Sequence, residues 1–245
     1  ASYTEQKLQE RNIKAYLIAD SSRPTTLKQR YRAHGKTLLR VSELKQHAID
    51  EELINEILER IKPLLSQTDL LFFSDFNYGC LPLALIHALS DLCKQYQVTM
   101  VADSQSSSQI GDISKYLDMM LITPTEHEAR IALQNSESGL PILAEKLSQK
   151  THTEQLFITL GSEGLFVFSP QNQPNDRDQL PALNRAPKDV SGAGDSLFTT
   201  AAMALKCGAS IWEAAYLGSV SAACQVGRLG NLPLSSSDLY EELQR

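Results

Sequence analysis

The sequence predicts an α/β fold: a three-layer, mostly parallel sheet with helices on both faces, plus a small β lid. Three observations predict it. From residue 50 onward, short apolar runs alternate with helical stripes. Those runs, LLFFSD (70–75) and VTMVAD (98–103) among them, are apolar almost throughout, as strands buried on both faces are. Residues 14–41 instead alternate apolar with polar and are rich in β-formers, with breaks at 22–24 and 34–35, the pattern of short antiparallel strands. The expected division is therefore a lead-in helix and partial lid strands over 1–49, and an α/β core over 50–245.

Taken in order, DEELINEILERIKPLL carries apolar residues at 53, 54, 57, 58, 61, 64 and 65, a helical stripe that Asp50 is placed to cap. Strand 70–75 follows, then the helix LPLALIHALSDLCKQY, then strand 98–103 and the short run MMLI (119–122). TEHEARIAL and LPILAEKLSQK are helical, and QLFITL (155–160) and GLFVFS (164–169) read as strands. Long helices are expected over 193–206 and 211–226, and a last one near 236–244. The serine-rich 106–109 and 235–237 read as loops. In such sheets ligands bind outside the carboxyl ends of the strands. Asp75, Asp103, residues 123–128, 161–164 and 189–195 all fall there.

Composition narrows the function. The chain has 245 residues and a net charge of −6, which argues against a broad nucleic-acid surface. No apolar run approaches a membrane span, and the polar start lacks the apolar stretch of a signal peptide. Four cysteines, with no C-x-x-C pair, suggest neither a zinc site nor a redox motif; the expectation is buried, reduced thiols in a cytoplasmic protein. No G-x-x-x-x-G-K-[ST] exists, no G-x-G-x-x-G follows an early strand, and no G-x-S-x-G elbow appears.

The densest signal is DVSGAGDSL (189–197). Helical propensity begins just after it, so a helix N-terminus falls at about Gly192 to Asp195. First-turn N–H groups lack internal partners and lie at the positive end of the helix dipole. Glycines let a backbone approach an anion closely, so a phosphate oxygen suits the place. Asp195 in the first turn either complements the dipole or accepts a proton from a hydroxyl.

DVSGAGD resembles the D-T/V-x-G-A-G-D signature of the ribokinase-like, phosphofructokinase-B type carbohydrate kinases. The resemblance implies a ribokinase-like fold and transfer of the γ-phosphoryl group of ATP, with Mg2+, to a sugar or sugar-phosphate hydroxyl. It implies that the Gly192, Ala193 and Gly194 amides form an anion hole, that Asp195 is the base, and that Asp189 shapes the loop. ITLGSEG (158–164) resembles the family's T-x-G-x-x-G beside the nucleotide, matched by Thr159, Gly161 and Gly164; taken alone, those glycines also suit a plain hairpin turn. TPTEHEA (123–129) resembles T-P-N-x-x-E, with Thr125 in place of the Asn. Glu128 there either helps organise magnesium or closes a capping box with Thr125; the two roles are compatible.

SDFNYG and ADSQ resemble S-D-Y-x-K-G and D-P-K, but Tyr78 and Gln105 stand where lysines are expected. RPTTLKQRYRAHGKTLLRV is similar to the lid of the bacterial heptose-phosphate kinases, matched by Thr26, Lys28, Arg30 and Arg40, with Ser42 in place of a final Asp. Lys28 and Arg30 are the expected substrate-binding residues, and the lid implies a homodimer. The family's opening strand, early sugar-binding Asp and G-G motif have no counterpart in this sequence. That motivates an alternative expectation, a non-catalytic nucleotide- or sugar-phosphate-binding relative.

Overall fold

The computed structural model describes residues 2–33, 36–105, 111–170, 177–184 and 186–244. The expected loop at 106–109 and the break at 34–35 lie outside them. The chain divides into two compact units, Ala1–Gln67 with Tyr78–Leu92, and Thr68–Asn77 with Cys93–Arg245.

The first unit opens with α1 (Ser2–Gln9) and carries a two-stranded antiparallel sheet, β1 (Leu27–Ala33) and β2 (Lys36–Glu43). No strand forms over 14–26, the first part of the expected lid. Its Ser22-Arg23 turn is instead tied down by charge. Arg23 pairs with Asp20 at 2.5 Å and donates to the Tyr78 and His47 carbonyls at 2.8 and 2.9 Å.

Cross-strand partners share a face, so the β1–β2 register sorts the side chains. Tyr31 opposes Leu39, Gln29 opposes Val41, and Leu27 lies on the same side. Lys28, Arg30 and Arg40 fall on the other side. This two-stranded sheet therefore has one largely apolar face, whose Leu27, Tyr31, Leu39 and Val41 are exposed, and one basic face. The unit also holds α2 (Glu51–Ile61), capped by Asp50 through a 2.9 Å bond from the Leu53 N–H. Ile49, Leu65, Leu85, Ile86 and Leu89 are its buried apolar residues.

The second unit is a six-stranded sheet in the order β3 (Leu70–Asp75), β4 (Thr99–Ser104), β5 (Leu121–Ile122), β6 (Gln155–Thr159), β7 (Leu165–Phe168), β8 (Arg177–Leu180). The first four run parallel; β7 and β8 are antiparallel additions at one end. The α3 helix (Leu83–Tyr96), which belongs to the first unit up to Leu92, precedes β4, and α4 (Glu126–Leu133) and α5 (Leu140–Thr151) lie between β5 and β6. Then come α6 (Ala193–Lys206), α7 (Ile211–Val226) and α8 (Ser236–Leu243).

Alternation along each strand assigns the faces. Val101, Leu121, Phe157, Leu165 and Val167 meet Leu197, Phe198, Ala201, Ile211 and Ala215 of α6 and α7. Phe198 packs edge-on against Phe72, ring centroids 5.3 Å apart. Truncating such a buried phenylalanine costs about 3–5 kcal/mol. Leu156, Ile158, Phe166 and Phe168 point the other way and are also buried, on the side where α4 and α5 pack beside β6. The three-layer, mostly parallel α/β architecture is thus as the sequence predicts.

The cysteines form no disulfide, but only Cys93 is fully buried. Cys80 and Cys207 are exposed, against expectation: Cys80 lies in a turn before α3 and Cys207 at the end of α6, outside the apolar stripes that sequence position alone suggested. Among the described residues no helix is long and apolar enough to cross a membrane.

Candidate active site

The carboxyl ends of β3 to β6 and the start of α6 supply the chemistry. At α6 the helix begins on Gly192, in the left-handed region at φ +81°. A Cβ there would be strained and would run into the Asn231 side chain. Asn231 is held in turn: Gln225 Nε2 donates to its Oδ1 at 3.1 Å and to the Ser191 carbonyl at 3.3 Å. Asp189 fixes the other side of the loop, accepting from the Ser191 N–H at 3.1 Å and the Gly230 N–H at 3.3 Å. The backbone N–H groups of Lys188 and Asp189 both donate to the Val226 carbonyl. The loop is thus stitched to the far end of α7 by side-chain and backbone bonds, and within it the Ala193 N–H donates to the Val190 carbonyl at 3.4 Å. No side chain caps α6, and a Cβ on Gly194 would meet nothing within 4 Å. Donors at a dipole's positive end, with open space beside them, fit a phosphoryl oxygen.

Asp195 stands in the first turn of α6. Gln105, just past β4, donates from Nε2 to its Oδ1 at 3.0 Å. Two positions back, Asp103 is buried, and its pKa is pushed up to about 7. Burial is the largest cause, and the charges of Glu128 and Asp195 add to it. A 3.1 Å bond from the Thr123 hydroxyl and one from Gln105 pull the other way. Two buried carboxylates, Asp103 and Glu128, and the half-buried Asp195 therefore lie close enough for their charges to act on Asp103, a crowding that a cation would relieve. Among the described residues, however, no group of three or more His, Cys, Asp or Glu is close enough to ligate an ion directly.

The Thr125 and Glu128 capping box is present. The Glu128 N–H donates to Thr125 Oγ1 at 3.2 Å, and the Thr125 N–H donates to Glu128 Oε2 at 2.8 Å. Glu128 is nonetheless buried and acts on Asp103 electrostatically, so capping does not exhaust its influence. Thr159 adjoins this turn, its N–H donating to the Pro124 carbonyl at 2.9 Å. Gly161 and Gly164 bound a single 3₁₀ turn between the antiparallel β6 and β7. Gly164, at φ +103°, lies where a Cβ would collide with the Leu180 carbonyl and residues 181–182, so chain packing alone demands glycine. Nothing lies within 4 Å of a Cβ on Gly161.

Asp189, Gly192, Ala193, Gly194 and Asp195 thus converge with Gln105, Asp103 and Glu128, and Thr125 with Thr159. Lys28 and Arg30 belong to the first unit; Lys28 Nζ lies 5.0 Å from the centroid of the Tyr78 ring. The sequence reading took Gln105 only as a replaced lysine, and it missed Asn231 and Lys115. Lys115 pairs with Asp75 at 2.5 Å, while Tyr116 donates to the same carboxylate at 2.8 Å.

Residues 1–236 match the pfkB family of carbohydrate kinases. The chain is 31% identical over 231 residues to the "Bifunctional protein HldE" of Desulfatibacillum aliphaticivorans, covering 93% of this chain and 46% of that protein. It is 28% identical over 230 residues to the protein of the same name in Helicobacter hepaticus, again over 93% and 46%. It therefore spans about half the length of the curated relatives it matches. Among solved structures, phosphofructokinase-2 of Escherichia coli superposes with a TM-score of 0.80 at 15% identity, covering 99% of this chain and 77% of that one. Ribokinase of Thermotoga maritima gives 0.73 at 17% identity, covering 100% and 77%. The fold is ribokinase-like. The expectation of a binding-only relative finds no support in these matches. The chain belongs to the pfkB family of carbohydrate kinases.

Proposed function

We propose that this pfkB family carbohydrate kinase transfers the γ-phosphoryl group of ATP to a hydroxyl of a sugar phosphate, a heptose phosphate being the acceptor that the lid motif favours. One observation carries the reading. The G-A-G terminus of α6 has no side-chain cap, and its first-turn carboxylate is held by a neighbouring strand end. Phosphoryl transfer asks little covalent chemistry of a protein; it asks for position and for donors aimed at developing charge. The Gly192, Ala193 and Gly194 amides and the α6 dipole would stabilise the transferring group. Asp195 would accept the proton of the attacking hydroxyl. Thr159 and Gly161 to Gly164, with Thr125 and Asp189, would border the nucleotide. Glu128 would hold magnesium through water, and the ion when bound would neutralise phosphate charge.

Lys28 and Arg30, on the basic face of the β1–β2 sheet, would grip the acceptor's phosphate. The opposite apolar face suits a second copy of the chain; sedimentation as a monomer at micromolar concentration would exclude that dimer. Free thiols suit a cytoplasmic setting.

The test is Asp195→Asn assayed for ADP release over a panel of sugars and sugar phosphates. The expected result is a fall in kcat of about a thousandfold or more, with ATP affinity nearly intact. Turnover equal to the wild type would sink the assignment.

A further inference from the structure

Gln105 lies just beyond the last residue of β4, yet its backbone is fixed as firmly as a strand's. Its N–H donates to the Asp75 carbonyl at 2.9 Å, at the end of β3. Its own carbonyl accepts from Asn77 Nδ2 at 2.8 Å. Asn77 is fixed in turn, donating from Nδ2 to Ser104 Oγ at 3.0 Å and from its N–H to the Asp75 carboxylate at 2.7 Å. Lys115 completes the platform, donating to Asn77 Oδ1 at 3.3 Å and pairing with Asp75 at 2.5 Å. From this platform the amide spans to α6 and donates to Asp195 Oδ1 at 3.0 Å, across 90 positions of sequence.

That bond has a specific consequence. The terminal torsion of an aspartate is broad, so a carboxylate without a partner swings between orientations. Its neighbourhood makes this worse, because Asp103 is also a carboxylate and interacts unfavourably with the charges of both Asp195 and Glu128. A neutral N–H donor fixes the plane of the carboxylate and adds no charge. We propose that Gln105 is a positioning residue, which sets the orientation in which Asp195 meets the acceptor hydroxyl. The proposal rests on the reading of Asp195 as the base.

Two measurements on the 245-residue chain test it. The first needs no turnover. The side-chain amide cross-peak of Gln105, assigned by its loss in Gln105→Ala, is expected to show a downfield, slowly exchanging proton that moves upfield in Asp195→Ala. A cross-peak unmoved by Asp195→Ala overturns the proposal. The second is kinetic. Gln105→Ala and the isosteric Gln105→Glu both lack the donor, and each is expected to lose about 10- to 100-fold in kcat with the KM for ATP little changed. Gln105→Lys restores a donor and is expected to recover most of the loss. Wild-type kcat in both donorless variants, beside a dead Asp195→Asn, overturns the role of Gln105 and leaves the kinase reading standing. An equal fall in all three Gln105 variants overturns it too, because a packing role would not distinguish donors from acceptors. A wild-type chain that phosphorylates no sugar, with the cross-peak behaving as expected, counts against the kinase reading and sustains the bond.

Discussion

Helices α6 and α7 follow one another in the chain and pack on the same face of the sheet, yet they begin in opposite ways. The first turn of α7 is closed by its own side chains. Ser210 Oγ accepts from the Glu213 N–H at 3.3 Å, and the Glu213 carboxylate accepts from the Ser210 N–H at 2.8 Å. The first turn of α6 starts on a left-handed glycine with no side-chain cap. What holds it comes from outside: Asp189 and Gln225 pin the approach, and Gln105 takes the carboxylate. A terminus that has only to be stable satisfies its donors locally. A terminus built for an anion leaves them to the ligand and recruits neighbours to keep its shape. The α4 start lies between the two, closed by a Thr125 and Glu128 box while its buried Glu128 acts on Asp103.

The sharpest way to break this comparison is Gly194→Ala. The methyl has open space in the structure, and Gly194 is helical, so the substitution is expected to leave stability unchanged or raise it by about 0.5 kcal/mol. The same methyl would occupy the room that a phosphoryl oxygen needs. A fall in kcat of about 100-fold is expected, comparable to the loss of one donor from an oxyanion site. Thermal melts alongside initial rates decide the matter. A variant that melts no lower and turns over normally would mean that α6 holds no anion.

Next in size is Asp103→Asn, which probes the charge gathered beside the α6 start. The folded pKa of Asp103 is raised from 3.8 to about 7, so the folded state binds the proton more tightly than the unfolded state does. Stability from this group is therefore full below pH 4 and is lost as pH rises toward 7. Asparagine carries no such penalty and can still accept from the Thr123 hydroxyl. The variant is expected to be more stable than the wild type by of order 2–4 kcal/mol at pH 8, the difference shrinking toward zero near pH 4. Denaturant titrations at the two pH values measure it. A difference independent of pH would show that Asp103 does not titrate in this range.

How much of this was legible depended on distance along the chain. The bounds of α6 and α7 match the expected 193–206 and 211–226, because uninterrupted helix formers lie between a glycine-rich or serine start and a clear stop. The Thr125 and Glu128 box was legible because its chemistry spans three residues. The edge strand β8 was not: RDQL is polar and largely exposed, and its antiparallel partner, not its own pattern, makes it a strand. Gln105 was read only as a missing lysine. Its bond to Asp195 joins residues that no local period connects, and the same holds for Asn231 against Gly192. Local physics marked the glycine-rich helix start and its first-turn carboxylate; the groups that orient them come from tertiary structure.

The smallest expected effect is at the other pole of the comparison. Ser210→Ala removes an oxygen that accepts from the Glu213 N–H at 3.3 Å and donates to the Glu213 carboxylate at 2.8 Å. Loss of such a cap costs about 1 kcal/mol. For a chain of this size that lowers the melting temperature by roughly 2–4 °C. The α7 start is solvent-exposed at Ser210 and shares no hydrogen bond with the loop around Gly192, so kcat should stay within about twofold of the wild type. A melting point unchanged by Ser210→Ala would mean that the reciprocal box contributes nothing to α7. A kcat that falls with it would mean that the two helix starts are energetically coupled through the packing between α6 and α7, and the division between a structural terminus and a chemical one would have to be redrawn at Leu197, whose carbonyl and side chain lie against Gly218 of α7.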